Sequence, residues 1–255
     1  MPRIRPVDHE DRLTLVDHLG ELRSRIFIAI SAFFVAFAVC SWQNHRILEI
    51  VNDPLPSNLP EPITFGVTEP FTTTLTNSAY FAMLLALPVI IYQIYAFILP
   101  AFSPMERRVA SPLILMAPVL FVLGVVFCYF VVLPPATDFL LSFNASEFNT
   151  QVRARDYYSF VMLTMAAMGL GFQVPIGIIA AVRLGITTPQ KLRKNRRYAI
   201  LVIAVLAALL PTIDPITLLL EMVPMILLYE GSIVLASVLG RKETAGAEIA
   251  AAEGS

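Results

Sequence analysis

Two acidic residues, Glu21 and Glu106, stand beside long apolar runs, where their carboxylates could bind one basic ligand at a membrane surface. Each acid also has a local explanation. Glu21 precedes Arg25 by four residues, the spacing of a helical ion pair that contributes about 0.2 to 0.5 kcal/mol. Glu106 follows Ser103 by three residues, as in a capping box at the start of a helix. Spacing alone favours the local explanation for each acid, and a shared basic ligand is the alternative hypothesis.

A second set of polar residues falls within or beside the apolar runs. Gln93, Gln173 and Glu230 lie inside them, with Glu230 the most deeply placed acid, whereas Asp214 and Glu221 lie near an outer end. Ionisable groups at membrane depth are rare and usually functional. We therefore predict a functional contact for Glu230, with pairing to Lys or Arg as the alternative, and a turn or helix cap for Asp214. A glutamine in a span can instead join two helices, which is worth about 0.6 to 2 kcal/mol.

Residues that commonly build catalytic and metal sites are missing from these apolar runs. The sequence has no His-Glu-x-x-His motif, no Gly-x-Ser-x-Gly motif and no phosphate-binding Gly-rich loop. His9, His18 and His45 all fall outside the apolar runs, so they offer no intramembrane site. Cys40 and Cys128 lie inside apolar runs, where a free cysteine behaves as a small hydrophobic residue. We expect no enzyme activity, no metal and no cofactor.

The elements that must position the polar residues are membrane-spanning helices. The chain has 255 residues, of which 57% are hydrophobic and 15% are charged, whereas a soluble domain has about 25% charged residues. Apolar runs near 20 residues long match the thickness of a bilayer. About 25 polar residues precede the first run, which argues against a cleavable signal peptide. The composition predicts an all-α polytopic membrane protein, and the net charge of −1 gives no indication of nucleic-acid binding.

Six spans account for the apolar runs. They are predicted over residues 26–42, 74–99, 112–133, 157–184, 198–210 and 216–239, with long loops over 45–71 and 134–156. An amphipathic helix over about residues 14–25 precedes the first span, because Leu15, Leu19 and Leu22 share one helical face. Gly185 suits the residue after a helix end. We expect one membrane domain over residues 1–239 and a disordered tail over 240–255.

The fifth span is short. Its 13 residues rise only about 20 Å, which is less than the roughly 30 Å of bilayer hydrocarbon. We expect the bilayer to thin there or a partner helix to cover the fifth and sixth spans.

Basic residues are distributed unevenly between the two membrane faces. Of the 18 Lys and Arg residues, all except Arg46, Arg153 and Arg155 fall on one face of the predicted topology. Cytoplasmic loops carry the excess of Lys and Arg. Both termini are therefore predicted to be cytoplasmic, with the two long loops outside.

Six short motifs follow one another along the chain. They are residues 18–25 (HLGELRSR), 88–93 (PVIIYQ), 106–108 (ERR), 129–132 (YFVV), 185–189 (GITTP) and 224–230 (PMILLYE). In this order they resemble the motifs of the TatC family, the receptor subunits of the twin-arginine protein translocase. The resemblance covers residues 15–239. Each motif alone is weak, but six in the same order on six predicted spans make a specific pattern.

The resemblance implies a fold and a role. The fold would be a curved, glove-like bundle of six helices in a bacterial or archaeal cell (inner) membrane. The cytoplasmic face would bind the twin-arginine signal peptides of folded cargo. Single-span subunits of the TatA/TatB type would join an oligomeric receptor complex, and the protonmotive force would drive export. Membrane lipid is the other expected partner, and no cofactor or nucleic acid is implied.

The resemblance also assigns residues. Glu21 and Glu106 match the acids expected to engage the two signal-peptide arginines, and Arg23 and Arg107 stand in the same motifs. The chemistry agrees, because guanidinium groups pair with carboxylates in bidentate geometry. Gln93, Gln173, Asp214 and Glu230 are then expected to make polar contacts with partners inside the membrane.

The sequence departs from the family pattern in three places, one of which is Leu218, where a polar residue is often found. Gln173 stands where the family usually has a glutamate, so an amide replaces a titratable group. The turn over residues 211–214 lacks the usual double proline but keeps its acid, Asp214. A secondary transporter or channel for small solutes is the alternative function. Such a protein would be expected to show internal repeats or paired broken helices around a shared site, and neither is evident.

Overall fold

The computed structural model describes residues 9–56, 61–98, 104–147, 150–208 and 214–253, with side chains described over 18–56, 61–98, 111–147, 150–208 and 214–237. These residues form helices and contain no β-strand, so the all-α prediction is confirmed. The helices are α1 His9–Trp42, α2 Asn44–Asn52, α3 Glu69–Ile98, α4 Pro104–Phe127, α5 Leu133–Ser142, α6 Ala154–Gly171, α7 Val174–Arg183, α8 Pro189–Lys194, α9 Arg196–Ala208 and α10 Pro215–Glu253. A π-helical turn over Cys128–Val132, the π segment, joins α4 to α5.

Five helical stretches are long and apolar enough to cross a membrane. They are His18–Trp42, Glu69–Ile98, Ser111–Ser142, Ala154–Arg183 and Pro215–Ser237, and they coincide with the first four predicted spans and the sixth. Helix α9 has 13 residues, which agrees with a short fifth span. The end of that span and most of the turn that follows it lie outside the described residues, so the count of six stays a prediction.

Both predicted outer loops contain helix that the sequence interpretation missed. Helix α2 occupies the first part of the predicted loop 45–71, ahead of its prolines. The predicted loop 134–156 begins with α5, which continues the third span. Pro134 was taken as the end of the helix, but it stands in the first turn of α5, where a residue needs no N–H donor. The loop prediction is therefore wrong over residues 134–142.

The fourth span is one path made of two helices. Helix α6 ends at Gly171 and α7 begins at Val174, with Phe172 and Gln173 between them. Pro175 in the first turn of α7 cannot donate a backbone hydrogen bond, which explains the interruption. Gly185 follows α7 with φ of 70°, a conformation that glycine adopts at low cost, so its predicted role after the helix end is confirmed.

The core of the bundle lies where α4 crosses α6. A Cβ atom built on Gly124 of α4 would lie 2.9 Å from the Cα atom of Gly169 in α6. A Cβ atom on Gly169 would lie 2.6 Å from the ring of Phe121, which is almost fully buried. The two helices therefore approach backbone to backbone. Helix α1 packs on α3, and α10 packs mainly on α7 and α9.

The outer faces of the spans are apolar. Phe34 of α1, Leu115 of α4 and Leu201 of α9 are each about 60 to 70% exposed, as expected of side chains that contact lipid. Helix α1 runs without a break from the predicted amphipathic segment into the first span. Helix α10 extends to Glu253, through residues for which we expected a disordered tail. The domain division at residue 239 stays a prediction.

Candidate functional site

The helices bring two groups of side chains to opposite ends of the bundle. We call one the basic end, formed by residues 18–25 of α1, residues 91–98 of α3, helix α8, the first turn of α9 and residues 229–230 of α10. We call the other the loop end, formed by α2, residues 53–56 and 61–69, α5 and the start of α6. Of the polar residues selected from the sequence, Glu21, Arg23, Gln93 and Glu230 lie at the basic end.

A hydrogen-bonded chain of three side chains joins α1 to α3 at the basic end. Arg25 Nε donates to Glu21 Oε1 over 3.0 Å, and its NH2 group donates to the same oxygen. Arg25 NH1 donates to Gln93 Oε1 over 3.0 Å. The predicted pair of Glu21 with Arg25 is confirmed. Gln93 was selected from the sequence, but its place beside Arg25 was not foreseen, because a contact between residues 68 positions apart leaves no local pattern.

His18 adds a ring to the same group. Its Nδ1 atom lies 4.0 Å from Glu21 Oε2, and its imidazole stacks on Phe97 of α3 with 4.4 Å between ring centroids. The sequence interpretation gave His18 no role. The signal that could have found it is the three-residue spacing to Glu21, which places both residues on one helical face. The Glu21 side chain keeps about 34% of its surface exposed, so it can still meet a ligand.

Arg23 lies apart from that hydrogen-bonded chain. It is exposed, and its guanidinium carbon lies 5.8 Å from the centroid of the Phe27 ring on the same helix. Glu106 and Arg107 stand in the first turn of α4, which begins at Pro104 as the sequence predicts. Their side chains lie outside the described residues. The pairing of Glu21 with Glu106 in one site therefore stays a prediction.

Glu230 pairs with an arginine. Arg196 NH2 donates to Glu230 Oε2 over 2.8 Å, and the Glu230 side chain is about 35% exposed. The pairing with arginine that we gave as the alternative is therefore present, whereas the depth of Glu230 in the membrane stays a prediction. Glu221, on the same helix, has no exposed surface. The hydroxyl of Tyr229 donates to the Leu192 carbonyl over 3.0 Å, which fixes α8 against α10.

Gln173 joins the break in the fourth span to a second helix. Its Nε2 atom donates to the Ala117 carbonyl of α4 over 3.0 Å. Its Oε1 atom is buried and has no hydrogen-bond partner among the described residues. The bond to the Ala117 carbonyl joins two helices, which is the role that we gave as the alternative for a glutamine in a span.

An apolar groove of about 500 Å³ opens beside this amide. Phe172 and Pro175, which flank Gln173 in sequence, line the groove together with Leu120 of α4 and Leu227 of α10. The groove is thus bounded by α4, α7 and α10 at the depth of the membrane spans. Its width and lining suit an apolar helix or segment.

Asp214 caps α10. Its Oδ1 atom accepts a hydrogen bond from the Thr217 backbone N–H over 2.7 Å, the geometry of a helix N-cap. The predicted cap is confirmed. Contact of Asp214 with a partner stays a prediction.

Three hydroxyl groups hold α2 and the residues after it to the rest of the loop end. Tyr129 donates to the Ile50 carbonyl over 2.8 Å, and Tyr157 donates to the Val51 carbonyl over 2.9 Å. Thr137 donates to the Pro54 carbonyl over 2.7 Å. These bonds join the π segment, α5 and α6 to α2 and to the residues that follow α2.

A carboxylate anchors the second half of the same loop. Glu69 Oε2 accepts hydrogen bonds from the backbone N–H groups of Phe65 and Gly66 over 2.8 and 3.0 Å. Its Oε1 atom accepts from Arg153 Nε over 2.7 Å, and this bond raises the pKa of Arg153 above its usual value. Ile63 also pairs with Arg153 in an isolated parallel bridge. Arg153, one of the three basic residues predicted to lie outside, therefore has a structural role.

A family model named Sec-independent protein translocase protein (TatC) matches residues 17–224. A relative of that name from Aquifex aeolicus is 35% identical over 235 residues, which cover 91% of this chain and 98% of the relative. Another from Halothiobacillus neapolitanus is 36% identical over 216 residues, which cover 84% of this chain but only 59% of that longer relative.

The structure is similar to a solved structure described as the twin-arginine translocase receptor TatC. The TM-score is 0.74 at 35% sequence identity, and the match covers 87% of this chain and 98% of the solved chain. The order and packing of the spans are therefore those of a known receptor. None of these matches is a small-solute transporter, so that alternative gains no support.

Proposed function

The chain belongs to the TatC family of Sec-independent protein translocase proteins, and we propose that its basic end is the receptor site for twin-arginine signal peptides. As a member of that family it is a multi-pass protein of the cell membrane and a non-enzymatic component of the Tat translocase complex. The observation that carries the proposal is the partly exposed Glu21 carboxylate, held by Arg25 and Gln93.

The hydrogen bonds of Glu21 leave one oxygen available. Arg25 uses Oε1 for both of its bonds, whereas the one described charged group near Oε2 is His18, at 4.0 Å. A carboxylate oxygen accepts more than one hydrogen bond. An incoming guanidinium group can therefore reach Oε2 without displacing Arg25. Gln93 holds Arg25 from the neighbouring helix, so the carboxylate is orientated before the ligand arrives, which lowers the entropic cost of binding.

Glu106 supplies the second carboxylate in this proposal. Helix α3 ends at Ile98 and α4 begins at Pro104, so the first turn of α4 follows the α3 end that carries Gln93. Carboxylates are also favoured in the first turn of a helix, where the backbone N–H groups point outward. One carboxylate for each arginine matches the charge of the motif. Arg23 and Arg107 belong to the same proposed site as the cations that flank the two acids.

The apolar groove next to Gln173 suits the apolar part of a bound segment. We assign the groove to the hydrophobic stretch of the signal peptide or to the helix of a single-span TatA/TatB-type subunit, because its lining is apolar. The partner helix also has an apolar face to cover on α9, where Leu201 and Val205 are more than half exposed. Crosslinks from Val205 to a small single-span protein would support that assignment.

Binding of a labelled signal peptide to the purified chain in lipid nanodiscs tests the receptor site. Glu21→Ala and Glu106→Ala should each weaken binding by about 2 to 5 kcal/mol, the cost of removing one partner of a desolvated charge pair. Glu49→Ala is the matched control, because Glu49 is an exposed acid of α2 at the loop end that pairs only with His45. If all three variants bind with the affinity of the unmodified chain, the local roles of Glu21 and Glu106 are the better explanation.

A further inference from the structure

Three polar residues share one face at the start of α10. Asp214, Thr217 and Glu221 are spaced by three and four residues, which places them on one side of a helix. Thr217 and Glu221 have no exposed surface. We call these three residues the polar file. It begins at the N-cap of α10, at the loop-end side of the membrane, and leads about two turns into the bundle.

The polar file carries four oxygen atoms without partners. They are Asp214 Oδ2, Thr217 Oγ1 and both carboxyl oxygens of Glu221, all buried and without a hydrogen bond to any residue that the structure describes. Buried polar atoms in proteins are nearly always satisfied by protein or by water. We therefore expect the four oxygens on this helical face to be hydrogen-bonded by water molecules, by protonation of a carboxyl group, or by both.

Within the described part of the chain, Glu221 has no cation beside it. Its titratable neighbours are Asp214 on the same helix and Cys128 of the π segment, and the described residues form no ion pair with it. Helix α10 packs there against α5 and the π segment. Thr164 of α6 is likewise fully buried with a hydroxyl that has no partner in the described chain. Local π-helical turns occur often at functional sites.

An ionised carboxylate in this position would be costly. A buried charge that has neither a counter-ion nor hydrogen bonds loses its hydration without compensation, and such a group takes up a proton instead. A protonated carboxyl becomes both a donor and an acceptor. The protonated carboxyl can then donate a hydrogen bond to water or to a hydroxyl group. An ionised carboxylate can only accept hydrogen bonds.

We propose that Glu221 is a buried proton-binding site that communicates with the loop end of the membrane through Thr217 and Asp214. The route consists of the unpartnered oxygens of the polar file and the water molecules that they bind. Its direction follows from the helix, because Asp214 stands at the outer end of α10 and Glu221 stands deepest. This site is separate from the receptor site at the basic end.

Infrared spectroscopy of the full chain in nanodiscs tests the proton site. At neutral pH the protein should show a protonated-carboxyl band that is missing from Glu221→Gln, an isosteric variant that cannot titrate. Normal signal-peptide binding by Glu221→Gln would show that the variant is folded. A spectrum without a band that depends on Glu221 would mean that this carboxyl is ionised, and would overturn the proposal.

Hydrogen–deuterium exchange of the same band tests the route. The band should shift when the protein is moved into D₂O, and Thr217→Val, which keeps the shape but removes the hydroxyl, should slow that shift at least several-fold. Thr72→Val is the matched control, since Thr72 is an exposed threonine of α3, and it should leave the exchange rate unchanged. A band that never exchanges, or one whose exchange is the same in Thr217→Val, would overturn the proposed route.

Discussion

The two ends of the bundle are held together in different ways. At the loop end, buried or partly buried side chains bond to backbone groups, as Tyr157 does to the Val51 carbonyl and Glu69 does to the Phe65 N–H. At the basic end, two ion pairs join side chains that remain partly exposed, Arg25 with Glu21 and Arg196 with Glu230, and Tyr229 bonds to one backbone carbonyl. Bonds to the backbone thus predominate at the loop end, although Arg153 pairs with Glu69 there, and charges that a ligand can reach predominate at the basic end.

This difference separates stability from recognition. Hydrogen bonds to buried backbone carbonyls are costly to lose, because the carbonyl is left without a partner. Exposed ion pairs contribute little to stability, but their charges are available to an incoming peptide. We infer that the loop end and the α4–α6 contact form a rigid frame and that the basic end is the adaptable surface. Substitutions in the two regions should therefore have opposite consequences.

The largest effect on stability is expected at the α4–α6 contact. A Cβ atom at Gly124 would lie 2.8 Å from the Phe172 ring and 2.9 Å from the Met168 carbonyl oxygen. Gly124→Ala should therefore destabilise the protein by about 1 to 3 kcal/mol. Gly231→Ala, where a Cβ meets nothing within 4 Å, should instead be neutral or stabilising. Thermal unfolding in detergent compares the two, and equal melting temperatures would contradict the close approach of α4 and α6.

A smaller loss is expected from one hydroxyl at the loop end. Tyr157→Phe removes the bond to the Val51 carbonyl and should destabilise by about 0.5 to 1.5 kcal/mol, with signal-peptide binding unchanged. Tyr92→Phe is the control, because Tyr92 of α3 is about 41% exposed and makes no hydrogen bond within the described chain. Unfolding and peptide binding should be measured on the same samples. A Tyr157→Phe protein that keeps its stability but loses peptide binding would contradict the assignment of stability to the loop end and recognition to the basic end.

Gln173 should affect transport more than stability. Gln173→Leu removes the bond to the Ala117 carbonyl, a loss of about 0.6 kcal/mol for a typical interhelical bond in a membrane. Protein levels should stay normal while export of a reporter with an Arg-Arg signal falls. Gln173→Glu should be tolerated, because the carboxyl fits the same space and can remain protonated when desolvated. Full export by Gln173→Leu would show that the amide only joins helices.

The smallest change in stability is expected from the exposed pair at the basic end. Glu230→Gln removes the partner of Arg196 and should cost no more than about 1 kcal/mol. The difference from the unmodified chain should shrink further as salt is added, because exposed charges are screened. Unfolding at low and high ionic strength measures both effects. A large loss that persists in high salt would place Glu230 in the frame rather than on the surface.

The sequence predicts the spans well because their signals are local. The length of the apolar runs identified five of the spans. A glycine at position 185 indicated the end of α7, and in the structure it has the positive φ that glycine adopts easily. Proline was a source of error at one position. The predicted third span ended before Pro134, which in fact lies in the first turn of α5, whereas Pro88 lies inside α3, as the predicted second span requires. The effect of a proline depends on whether its missing N–H falls where a helix needs one, and the sequence alone does not show this.

The candidate site is only partly predictable, because some of its contacts are local and others depend on how the helices pack. The pair of Glu21 with Arg25 follows from helical spacing, but the contacts of Arg25 with Gln93 and of His18 with Phe97 depend on how α1 packs on α3. The sequence also did not show that Glu221 is fully buried whereas Glu230 is partly exposed. Position within an apolar run gives depth along the membrane, whereas exposure depends on which face of α10 meets its neighbours. That face is set by tertiary packing.

Photocrosslinking from position 24 tests the central claim most directly. Ser24 is an exposed residue of α1 beside Glu21, so a photoreactive amino acid there leaves both Glu21 and Glu106 in place. The full chain in membranes would be combined with a precursor carrying its Arg-Arg pair or a Lys-Lys replacement. The arginine precursor should crosslink strongly, and the lysine precursor should do so much less, because lysine cannot form the bidentate pair. The same probe at position 49 of the loop end should capture neither. Equal capture of both precursors at position 24, or capture only at position 49, would contradict a twin-arginine receptor site at the basic end.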